Sequence, residues 1–105
     1  MIKIRATEVG KNKTLKIDGH AMYSDGKDIV CAAVSAIYYA LLASLAEEKG
    51  VRYMSHFESS GSAKLSFCAK DLSHGGFNMA VKGFSLIAEN YRENVSVQIE
   101  RKKQK

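Results

Sequence analysis

Residues 29–46 form the one long apolar run of the chain, broken only by Ser35, Tyr38, Tyr39 and Ser44 and closed by Glu47-Glu48. A helix on a protein surface carries a polar stripe, and this stretch has none, so it must be covered on more than one side, by a sheet and by a second helix or another subunit. Asp28 is the expected N-cap, and the helix should run through Glu48 with Gly50 as its stop. At about 18 residues the run lies at the short end of the bilayer-spanning range. Its polar interruptions favour a buried helix in a soluble domain, so no membrane partner is expected.

The rest of the chain must supply that cover. Ile2, Ile4 and Ala6 alternate with Lys3, Arg5 and Thr7, and Leu15 and Ile17 alternate with Lys16 and Asp18. With the polar stretch Gly10-Lys11-Asn12-Lys13 between them, they predict a β-hairpin. Residues 51–57 and 63–69 alternate in the same way around Glu58-Ser59-Ser60-Gly61-Ser62 and predict a second hairpin. From Ser73 onward, Phe77, Ala80, Val81, Phe84, Ile87, Ala88 and Tyr91 recur at steps of three and four, the pattern of an amphipathic helix. Val95, Val97 and Ile99 then alternate as a last strand. The order β-β-α-β-β-α-β implies an α+β, two-layer sandwich: a mixed sheet with two helices on one face.

With 105 residues the chain is one domain, assigned to residues 1–100, with a basic tail at 101–105. The net charge of +5 invites a nucleic-acid reading, but Arg101, Lys102, Lys103 and Lys105 supply four of those charges, leaving 12 basic against 11 acidic residues in the body. The tail therefore reads as a solvated, frayed terminus, and direct nucleic-acid binding is not expected. The alternating charged N-terminus and the two cysteines suggest neither a secretory segment nor a disulfide framework, which points to a reducing, cytoplasmic setting.

Cys31 follows His20 by eleven positions, within Gly19-His20-Ala21 and then Gly26-Lys27-Asp28-Ile29-Val30-Cys31-Ala32-Ala33-Val34-Ser35. If the second strand keeps its alternation, His20 lies on the polar side with Asp18, at the rim of the sheet. If Asp28 caps the helix, Cys31 falls in the first turn, where unpaired amides and the positive dipole end favour thiolate, the nucleophilic form. A facing imidazole would accept the thiol proton and later protonate a leaving amine. First-turn amides could hold the developing oxyanion, and Gly19 and Gly26 would permit the loop between. Asp28 opposes thiolate formation by its charge while fixing the helix start, and Asp18 and Asp25 are alternative partners for the imidazole. On spacing alone, a Cys early in an apolar helix is more often a small core residue.

Other reactive residues suggest less. Cys68 shares a polar register with Lys64 and Ser66 and reads as a passive half-buried thiol. His56 shares one with Arg52 and should be exposed, and His74 belongs to the entry of the second helix, with Gly75-Gly76 as a hinge. No cysteine or histidine spacing fits zinc, and no cofactor is implied.

The motif from Gly19 to Ser35 closely resembles the ribosomal-processing cysteine protease (Prp) family, and length and element order agree over essentially the whole chain. The resemblance implies a bacterial cysteine endopeptidase that removes the N-terminal extension of a ribosomal large-subunit protein, the one numbered twenty-seven, cleaving after an aromatic residue. It carries the nucleophile onto Cys31 and the proton acceptor onto His20, with Asp28, Gly19, Gly26 and Ser35 as supporting residues. It also implies a homodimer, which would account for the apolar first helix. The competing expectation is a non-enzymatic ribosome- or RNA-associated binding module that uses the basic tail.

Overall fold

Period-two alternation becomes two hairpins in the computed structural model, which describes residues 1–19 and 29–102. Strand β1 (Ile2–Val9) turns through Gly10-Lys11 into β2 (Asn12–Asp18), in register from Lys3 opposite Asp18 to Val9 opposite Asn12. Gly10 has φ 61°, in the left-handed region a two-residue hairpin turn demands. The turn is thus shorter than the four-residue stretch expected from sequence. Asn12 and Lys13 are strand residues, and alternation places Lys13 on the same face as Leu15 and Ile17, where it is 1% exposed.

Helix α1 (Ile29–Glu47) starts where the apolar run starts and leads to β3 (Arg52–Ser59) and β4 (Ser62–Cys68), paired in a second antiparallel hairpin. Helix α2 (Gly75–Asn90) then leads to β5 (Val95–Lys102). The strands make one sheet in the order β3-β4-β2-β1-β5. β5 lies parallel to β1 and every other pairing is antiparallel, so the sheet is mixed. Each helix therefore crosses between strands that run the same way without being neighbours: α1 joins β2 to β3 past β4, and α2 joins β4 to β5 past β2 and β1. Such crossovers lay the helices over the sheet, and here they share its one apolar face.

The core forms between them. Ile2, Ile4, Ala6, Leu15, Leu65 and Phe67 come from the sheet, Val30, Val34, Tyr38, Leu41 and Leu45 from α1, and Phe77, Ala80, Val81 and Phe84 from α2. α1 is long and apolar enough to cross a membrane by length and composition, yet this stripe of five residues is buried in the domain. α2 covers a second side, close enough that a Cβ on Gly83 would stand 2.9 Å from Cδ1 of Ile37. Ala32, Ala36, Tyr39, Ala40 and Ala43 stay exposed, so cover within the chain is incomplete.

Three elements, β3, α2 and β5, differ in detail from the sequence expectation. β3 buries almost nothing, because it is an edge strand that the helices cover only in part, and its pairing slips between Arg52 and Ser55 around Tyr53, whose φ is 53°. Ile99 is 43% exposed for the same reason at the other edge. α2 begins at Gly75, not Ser73, and Gly76 is less a hinge than a space: a Cβ there would come within 3.1 Å of the His74 ring. The start of the expected tail is strand, since Arg101 pairs in register with Glu8 and Lys102 with Val9.

Candidate active site

Strand β2 ends at Asp18, Gly19 follows it, and α1 begins ten residues after that glycine. Gly19 has φ 96°, and a Cβ added there would run into the Met1 carbonyl oxygen, so only glycine fits where the chain leaves the sheet. Its amide donates to the carbonyl of Gly61 at 2.7 Å, which draws the tip of the β3–β4 hairpin against the end of β2. Ser62 strengthens the join by donating to Oδ1 of Asp18 at 2.8 Å. Between this corner and the first two turns of α1 lies an open cleft of about 170 Å³.

Cys31 is the third residue of α1 and lines the cleft, half-buried. Ser35, one turn further along, lines it too, as does Gly19. His20, Gly26 and Asp28 lie outside the described residues, as does Asp25. Of the expected site, the structure thus brings Cys31, Ser35 and the residue before His20 to one cleft. Asp18 accepts from Ser62 on one carboxylate oxygen and lies 3.8 Å from the Lys16 ammonium with the other.

The sequence reading missed the far wall of the cleft. Tyr38, Tyr39, Glu58 and Ser62 all line it. The Tyr39 hydroxyl donates to Oε2 of Glu58 at 2.8 Å, and that bond, with the carboxylate charge, raises its pKa. Tyr38 packs edge-on against Tyr39 with ring centroids 5.5 Å apart. It is 3% exposed, and its hydroxyl is buried with no hydrogen-bond partner among the described residues. Burial, then the nearby Glu58 charge, then Tyr39 push the pKa of Tyr38 up, so its hydroxyl stays protonated at neutral pH. In sequence the two tyrosines were polar breaks in an apolar run and Glu58 a turn residue. The one usable signal was their spacing: Tyr38 and Tyr39 stand two helical turns beyond Cys31.

The remaining candidates fall elsewhere. Cys68 is half-buried and His56 exposed, as their registers indicate. His74 caps α2: its Nδ1 accepts from the Phe77 amide at 2.9 Å, so Nε2 carries the proton and donates to the Glu48 carboxylate at 2.8 Å. Among the described residues no group of three or more His, Cys, Asp or Glu side chains could hold a metal ion.

Comparison with known proteins gives the family and the fold. The family model for cysteine protease Prp matches residues 1–96. A crystal structure of the essential ribosomal processing protease Prp from S. aureus, in complex with a covalently linked product peptide, superposes with a TM-score of 0.81. It is 24% identical over 94% of this chain and 99% of the other. A second S. aureus Prp structure, with a substrate peptide, gives 0.71 at 19% identity over the same shares. SMU.848 from Streptococcus mutans gives 0.72 at 23% identity, covering 97% of this chain and 96% of that one. At these identities the structures speak for the fold: the five-stranded mixed sheet with two helices is theirs as well. No curated protein matches the chain.

Proposed function

The chain belongs to the cysteine protease Prp family and is a cysteine protease, and from that premise we propose that it is the endopeptidase that removes the N-terminal extension of ribosomal large-subunit protein twenty-seven, with Cys31 as nucleophile and His20 as its base. One observation carries the assignment of residues. Cys31, in the first turn of α1, and Gly19, the residue before His20, line the same cleft although a ten-residue gap in sequence separates the strand end from the helix. The S. aureus structures hold peptides described as product and substrate of a ribosomal processing protease, which supports a ribosomal precursor as the substrate class.

In this reading the helix start favours the Cys31 thiolate by its unpaired amides and dipole. His20 takes the thiol proton, and the sulfur attacks the scissile carbonyl carbon to give a tetrahedral oxyanion, held by first-turn amides. The C–N bond breaks as the imidazolium returns the proton to the leaving amine. Water, deprotonated by His20, then hydrolyses the thioester and releases the carboxyl product. Asp28, Gly26 and Ser35 support this arrangement, and the aromatic residue before the cut rests on the apolar part of the cleft, where Ile2, Ile17 and Val34 stand.

The protein works in the cytoplasm as a homodimer in this reading. The support is the apolar surface that the chain leaves uncovered: Ala36, Ala40 and Met79 line a groove between α1 and α2, with Met79 75% exposed. Direct nucleic-acid binding is not part of it, in keeping with the near balance of 12 basic against 11 acidic residues outside the tail. The test is incubation of the protein with the precursor ribosomal protein of its own organism, followed by intact-mass analysis. Loss of the N-terminal extension is expected with the native chain and not with Cys31→Ala; equal processing by both would remove Cys31 from its role. Peptide mapping should also find Cys31 alkylated faster than Cys68 at neutral pH, whereas equal slow labelling would argue against an activated thiolate.

A further inference from the structure

A buried hydroxyl with no partner costs stability, and native proteins rarely keep one without a use. Tyr38 keeps one. Its ring fills the core between α1 and the sheet, and phenylalanine would fill that space equally well, yet the hydroxyl is retained where it meets no acceptor among the described residues. The position explains why: Tyr38 lines the cleft that holds Cys31, and neighbouring Tyr39 has already taken Oε2 of Glu58. Because Tyr38 remains protonated at neutral pH, its hydroxyl is available as a donor. The wall of the cleft therefore contains a desolvated donor on a residue two turns along the helix from the nucleophile, covered in the empty protein, with Ile2, Ile17 and Val34 beside it.

We propose that Tyr38 is a specificity-determining residue of the cleft, whose hydroxyl donates a hydrogen bond to an amide carbonyl of the peptide substrate. A carbonyl fits this donor better than an amine or a carboxylate does. An amine would bring a second donor, and a carboxylate would meet the charge of Glu58 in the same cleft. A backbone or side-chain amide supplies a neutral acceptor, and its N–H can turn toward the Glu58 carboxylate. Occupancy then satisfies a polar group that the empty protein leaves unsatisfied, so the energy stored against folding is returned on binding.

The proposal rests on the reading of this cleft as the peptide site, and its test separates the two. The probe is a synthetic peptide spanning the N-terminal extension of the organism's own ribosomal protein twenty-seven. Cleavage kinetics are compared for the native chain and Tyr38→Phe, and binding of the uncleaved peptide is measured by calorimetry in Cys31→Ala with and without Tyr38→Phe. The expected result is a KM and a Kd raised about three- to tenfold, as the loss of one hydrogen bond predicts, with kcat held within about twofold. Tyr38→Phe should also raise Tm by roughly 2–5 °C, because it deletes an unsatisfied polar atom, and leave the rate of Cys31 alkylation by iodoacetamide unchanged. A merely structural hydroxyl would give the opposite pattern, a lower Tm with unchanged Kd, and that result would overturn the proposal. Unchanged Kd at any Tm, or no binding of the peptide to Cys31→Ala, would also overturn it. Cleavage by Cys31→Ala at the native rate would instead sink the assignment of the nucleophile, while the Kd comparison still decides the role of Tyr38.

Discussion

Strand β2 runs between two ends of the molecule that treat buried polar groups in opposite ways. At its hairpin end the Lys13 ammonium, wholly buried, donates to the carbonyls of Gly10 and Leu72 and lies 3.4 Å from the Glu8 carboxylate. Nearby, the buried His74 ring uses both nitrogens, one on the Phe77 amide and one on Glu48. At its cleft end Tyr38 is as deeply buried and has nothing. Satisfied groups of the first kind tie elements together: Lys13 fastens the β1–β2 turn to the segment before α2, and His74 fastens the start of α2 to the residue after α1. An unsatisfied group weakens the fold where it stands and is expected where a ligand will complete it.

That contrast can be broken by substitution. The largest effect should come at the cleft, where Cys31→Ala lowers kcat/KM on the precursor peptide by on the order of 10³-fold or more; its denaturation midpoint should barely move. At the opposite end, Lys13→Ala strands two carbonyls and leaves the Glu8 carboxylate with Arg101 alone, and should cost about 2–4 kcal/mol of stability in urea denaturation. The peptide kinetics of the folded fraction should stay native, and a large loss of activity there would erase the division between the two ends. His74→Ala removes an N-cap and an ion-supported hydrogen bond together and should cost about 1–3 kcal/mol. His74→Asn keeps a capping acceptor and should recover roughly 1 kcal/mol of that, measured in the same titration. Arg101→Ala removes only an exposed partner of Glu8 and should change stability by less than about 1 kcal/mol; a larger loss would mean that β5 is held through its terminus.

Local patterning carried much of this into view. The apolar run begins at Ile29 and so does α1; Phe77, Ala80, Val81 and Phe84 lie buried along α2 as their spacing requires; His74 stands at the helix entry and caps it. The motif around Cys31 was legible too, and places the thiol in the first helical turn. Lys13 was not, because a lysine beside a Gly-Lys-Asn turn reads as solvated until a two-residue turn shifts it onto the inward register. Nor was the wall of Tyr38, Tyr39 and Glu58: Glu58 lies 19 positions from Tyr39 and meets it only because β3 returns along the sheet past the start of α1.

By itself the sequence determined the elements, their order and the family, since those depend on periodicities and motifs spanning neighbouring residues. Which polar groups are satisfied was decided only by the tertiary structure. Lys13 finds the Leu72 carbonyl 59 positions away and Ser62 finds Asp18 across 44, and both meetings follow from the β3-β4-β2-β1-β5 order that the two helical crossovers impose. A hydrogen bond requires its atoms within about 3 Å. Residue identity supplies the donors and acceptors, and only the folded chain decides which of them, like the hydroxyl of Tyr38, is left without a partner among the described residues.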